Sequence, residues 1–85
     1  MKQRRNLPKL IEVYRAIERY QAENEDGFPS MSDLVEMGIA LSTNTIRYYF
    51  MEMGELKMLE YKRVIARSSR LLPLEKADPR IRELL

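Results

Sequence analysis

A chain of 85 residues is long enough for one domain and too short for two, and a domain of this size buries only about 60% of the surface its unfolded chain exposes. Cysteine and histidine are both absent, which excludes disulfides, thiol chemistry and the common zinc sites and removes the usual general base near neutral pH. The formal net charge is +2, and no apolar run approaches the roughly 20 residues that a membrane span needs. The chain opens on Lys2, Arg4 and Arg5, a basic stretch with no apolar segment after it, so it does not read as a signal peptide. Asn6 then stands as an N-cap with Pro8 in the first turn. Leu10, Val13, Tyr14, Ile17 and Tyr20 follow at spacings of three and four, which predicts a helix over 6–23 with one buried face. The polar run Glu23-Asn24-Glu25-Asp26-Gly27 ends it, and Phe28-Pro29 is extended.

A second helix is predicted over 31–37. Ser30 caps it and Asp33 completes a capping box; Leu34, Val35 and Met37 supply its apolar side, and Gly38 closes it. Ile39-Ala40-Leu41 is an apolar turn and is expected to be buried, as the turn of a helix-turn-helix requires. Ser42 caps a third helix over 42–55, whose buried stripe is Ile46, Tyr49, Phe50 and Met53. The opposite stripe, Asn44, Arg47, Tyr48 and Met51, points outward and suits the reading of base edges better than an inert solvated face. After Gly54 the period changes: Met58-Leu59-Glu60-Tyr61-Lys62 and Arg70-Leu71-Leu72 read as the two strands of a hairpin across 58–72. Asp78-Pro79 could start a last short helix, 80–85.

The expected fold is therefore mainly α with a small β-hairpin, a winged helix-turn-helix with a three-helix core and a two-stranded wing. It spans 6–74, with 75–85 as a C-terminal extension. Charge is divided unevenly along it. Residues 12–36 hold seven acids against Arg15 and Arg19, a balance of −5, whereas 57–70 hold Lys57, Lys62, Arg63, Arg67 and Arg70 against Glu60, a balance of +4. Such asymmetry gives one face a positive potential although the total is small.

These residues resemble the N-terminal DNA-binding domain of LexA-type repressors over 28–74. Pro29-Ser30 with Asp33-Leu34 resembles the family's opening of helix two, and Ser42-Thr43-Asn44 its Ser-Pro-Asn start of the recognition helix. Phe50, Met53 and Met58-Leu59-Glu60 resemble the helix end and first wing strand, and Arg67-Ser68-Ser69-Arg70-Leu71 the Arg-Gly-Ile-Arg-Leu wing segment. The resemblance implies base and phosphate contacts at Ser42, Asn44, Thr45, Arg47 and Tyr48, with Arg67 in the wing. The family has two glutamates where this chain has Arg47 and Tyr48, which implies a different target sequence. Ser68 replaces the wing glycine, Val64-Ile65-Ala66 lengthens the wing, and the family's self-cleaving domain with its Ser-Lys pair has no counterpart, so self-cleavage is not expected.

The expected function is sequence-specific binding of double-stranded DNA by a repressor-like transcriptional regulator. Ser42, Thr43, Asn44, Thr45, Arg47 and Tyr48 act from the third helix, and Arg63 and Arg67 from the wing. Carboxylate or Ser-Lys catalysis stays formally open, but no spacing favours either, so no enzyme, cofactor or metal is expected. Nor is a small-molecule ligand or a membrane partner. The corresponding location is cytoplasmic, on the nucleoid when bound. A homodimer on a two-fold site is the expected assembly, through Val64-Ile65 and Ile81, Leu84 and Leu85, though these apolar residues could equally finish the core. The rival reading is a winged-helix adaptor that docks a protein, favoured by the single basic residue, Arg47, of the third helix.

Overall fold

A computed structural model of the chain describes residues 6–25, 27–61 and 69–85. Three helices come first: α1 (Leu7–Glu23), α2 (Met31–Glu36) and α3 (Thr43–Glu55). Two short strands follow, β1 (Leu59–Glu60) and β2 (Arg70–Leu71), then a 3₁₀ turn (Leu74–Lys76) and α4 (Pro79–Arg82). The protein is mainly helical with one small antiparallel sheet, as the residue pattern predicts. The expected helices at 6–23, 31–37 and 42–55 match the first three within one residue at each end, and the difference at Asn6 and Ser42 is that both serve as caps.

Each helix start is held by the side chain that its sequence offers. Asn6 Oδ1 accepts from the Lys9 N–H at 3.1 Å. At α2 both halves of the capping box form: Asp33 N–H donates to Ser30 Oγ at 3.0 Å and Ser30 N–H to Asp33 Oδ2 at 2.9 Å. A cap of this kind is worth about 1 kcal/mol. The ends of α2 and α3 share one geometry. Ile39 N–H reaches back to the Leu34 carbonyl and Gly38 N–H to Val35, with Gly38 at φ +83°. Met58 N–H likewise reaches Met53 and Lys57 N–H reaches Gly54, with Lys57 at φ +62°. Both are Schellman closures, and the left-handed residue that they require is a glycine in one and a lysine in the other.

The core gathers around α3, which packs against α1, α2 and β1. Phe50 is wholly buried and meets Phe28 and Tyr61 edge-on, at centroid distances of 5.8 and 5.6 Å. Leu10, Val13, Tyr14, Ala16 and Ile17 close it from α1. Burying each large apolar side chain contributes about 1.5–3 kcal/mol. The strands pair Leu59 with Leu71 and Glu60 with Arg70, and a further bond from Leu72 N–H to the Met58 carbonyl extends the ladder. The Tyr14 hydroxyl donates to the Leu72 carbonyl at 2.8 Å, which pins α1 to the chain leaving β2.

Several expectations need correction. Tyr20 and Tyr49 are half-buried; Tyr20 instead donates its hydroxyl to Asp33 Oδ2 at 3.3 Å. Met37 is exposed; it is the C-cap of α2, which ends at Glu36. The turn after it is only partly inside: Ile39 is buried, Ala40 half-buried, and Leu41 is 101% exposed. The last helix starts at Pro79 and ends at Arg82, capped by Asp78, whose own N–H bonds the Leu56 carbonyl at 2.9 Å. That bond accompanies the return of the C-terminal segment to the core, where Ala77 and Ile81 join the cluster; Ile81, at 0% exposure, finishes the core, the alternative its apolar character left open. Among the described residues no helix is long and apolar enough to cross a membrane.

Candidate nucleic-acid interface

The outward stripe of α3 is where the spacing puts it. Asn44, Arg47, Tyr48 and Met51 are all exposed, while Ile46, Phe50 and Met53 on the inner side are wholly buried. Three neighbouring elements press on α3, yet among the described residues none covers this stripe. At its start, Ser42 is in extended conformation and its Oγ accepts from the Thr45 N–H at 3.3 Å. Ser42 Oγ and Thr45 Oγ1 also lie 3.2 Å apart, within hydrogen-bond distance, with either hydroxyl able to donate. This fixes Thr45 beside the cap. Thr43 and Asn44, in the first turn, are exposed, and their N–H groups lie ahead of the first intrahelical bonds, where an anion is favoured.

Arg47 Nη1 donates to Asn44 Oδ1 at 3.5 Å, one helical turn away. The contact is at the outer limit of a hydrogen bond and contributes little to stability, but it draws the guanidinium and the amide to the same spot. Arg15, Arg70 and Arg80 are engaged differently. Arg15 donates to Glu18 at 2.8 Å and Arg80 to Asp78 at 3.0 Å, and these bonds raise both guanidinium pKa values. Arg70 pairs with Glu60 across the strands at 3.2 Å. Arg47 is thus held by a neutral amide, which leaves its charge uncompensated by that contact and able to meet a polyanion.

Six of the expected site residues, Ser42, Thr43, Asn44, Thr45, Arg47 and Tyr48, therefore lie together on the start and outward face of α3. Arg63 and Arg67, with Val64-Ile65 and the rest of 62–68, lie outside the described residues. The sequence reading missed Leu41 as a surface group at the mouth of α3, because an apolar residue in a turn carries no periodicity that would say which way it faces. Glu52, near the end of α3, is buried at 8% exposure, which the helical spacing did not announce. Among the described residues no cluster of side chains suits a metal ion. No family model, curated protein or solved structure matches this chain.

Proposed function

We propose that the protein is a winged helix-turn-helix domain that binds double-stranded DNA sequence-specifically, as a repressor-like regulator of transcription and not as an enzyme. In this reading α2 and the turn after it brace α3, α3 enters the major groove start first, and the β1–β2 hairpin is the wing that tracks the backbone. The observation that carries it is the outward face of α3. Asn44, Arg47 and Tyr48 are exposed beside a capped helix start, on a helix whose opposite side is packed into the core, and folding alone does not call for that set. The +4 balance of 57–70 along the sequence supports it, since phosphates attract positive charge. The likeness of 28–74 to LexA-type repressor domains points the same way, with Arg47 and Tyr48 implying a different target.

Titration of random and selected duplexes at several salt concentrations tests this reading. Neutralising about four to six phosphates gives a log–log slope near −4 to −5. A slope near zero, or no binding at micromolar protein in low salt, refutes it. The second reading, a protein-docking adaptor, draws on the exposed Leu41, Tyr48, Met51, Leu84 and Leu85, and that result would favour it.

A further inference from the structure

Around the polar pair Asn44 and Arg47 the fold leaves Leu41, Tyr48 and Met51 in solvent. Scattered apolar residues on a surface need no account, but a group surrounding a candidate reading pair does. Leu41, at 101% exposure, contributes nothing to the core and stands directly before the cap of α3. Tyr48 and Met51 share the face of Asn44 and Arg47 by helical spacing.

Few ligands suit such a mixed face. On the base edges of a major groove the apolar feature is the thymine C5-methyl; adenine offers N7 and N6–H₂ to a carboxamide, and guanine offers two acceptors to a cation. This face has one carboxamide, three apolar groups and one guanidinium. The guanidinium already donates to Asn44 Oδ1. An amide oxygen has two acceptor positions, so Oδ1 can still accept from adenine N6–H while Nδ2 donates to N7. The 3.5 Å contact from Arg47 is compatible with the amide orientation that this pairing needs. A DNA occupant is favoured over an apolar protein segment by the Arg47 guanidinium and by the helix start, whose first N–H groups favour an anion.

Resting on the DNA-binding reading above, we infer that α3 reads an A·T-rich half-site, with Asn44 on adenine and Leu41, Tyr48 and Met51 packing against thymine methyl groups. The experiment compares three duplexes: one selected by the wild-type protein from a random pool, the same duplex with every thymine replaced by deoxyuridine, and a scrambled duplex. Deoxyuridine keeps every hydrogen-bonding group and removes only the methyl. Each contacted methyl lost is expected to weaken binding about fourfold. Leu41→Ala, Tyr48→Ala and Met51→Ala, and the triple variant, remove solvent-exposed side chains, so circular dichroism should show unchanged folding. The triple variant should bind thymine and deoxyuridine duplexes equally. Selection of a G·C-rich site, or equal wild-type affinity for the thymine and deoxyuridine forms, overturns the inference while leaving DNA recognition intact. A deoxyuridine penalty of the same size in the triple variant also overturns it, because the effect would then lie in DNA shape. Equal affinity for selected and scrambled duplexes instead overturns the sequence-specific reading on which the inference rests.

Discussion

The two faces of α3 are built from the same helix and lie within one turn of each other, yet they answer to different constraints. Ile46, Phe50 and Met53 face inward and are wholly buried; Asn44, Arg47, Tyr48 and Met51 face outward and touch solvent. The inward set is explained completely by packing, since Phe50 alone joins Phe28 on one side to Tyr61 on the other. The outward set is not required by any contact that holds the fold together. The difference teaches that the residues that hold this domain together and those left free for the proposed recognition are separable one by one, even along a single helix.

The largest expected effect is on the inward side. Phe50→Ala should cost about 3–5 kcal/mol, comparable with the whole stability of a small domain. Urea denaturation measures it, and a loss below about 1 kcal/mol would break the comparison, because the inward face would then not be the one that holds the protein together. Next comes the outward side. Asn44→Ala or Arg47→Ala should weaken the selected duplex by about 1–3 kcal/mol while leaving scrambled DNA and the melting temperature almost unchanged. Arg67→Ala, in the basic segment, should instead weaken all sequences alike and lower the salt slope by about one. If Arg67→Ala altered sequence preference and the two α3 variants did not, the division of labour would be reversed.

Two smaller effects sharpen the contrast by moving stability at places remote from the outward face. Tyr14→Phe leaves the Leu72 carbonyl without its 2.8 Å donor and should cost about 1 kcal/mol, with no change in DNA preference. Burial first, and the Glu18 carboxylate second, raise the Tyr14 phenol above its ordinary 10.0, against an opposing contribution from Arg15. The folded phenol therefore keeps its proton to higher pH than the unfolded one. Its contribution is intact below pH 10.0 and is lost as pH rises through the folded value, so stability in Tyr14→Phe should fall less steeply there. The smallest effect is a gain. Lys57 closes α3 at φ +62°, where Gly38 closes α2 at +83°, and Lys57→Gly should add about 1 kcal/mol by relieving the left-handed strain. Equal or lower stability on thermal melting would show that the lysine side chain offsets its own backbone cost.

The sequence by itself determined the helices and the outward face of α3. Local devices settled them: Asn6, Ser30 with Asp33, and Ser42 each cap within three residues of themselves, and a period of 3.6 sets Tyr48 and Phe50, two residues apart, on opposite sides of the helix. The candidate site was legible to the same extent, since Asn44, Arg47 and Tyr48 follow from spacing alone. Tertiary structure decided what periodicity cannot express. It turned Leu41 out to solvent and Ile39 inward within one apolar turn, buried Glu52, and folded Ile81 into the core, with the Asp78 N–H bonded to the Leu56 carbonyl. Periodicity tells which residues share a face. Whether that face meets another element depends on contacts between residues far apart in the chain, and a turn or a four-residue helix is too short to carry a period that announces them.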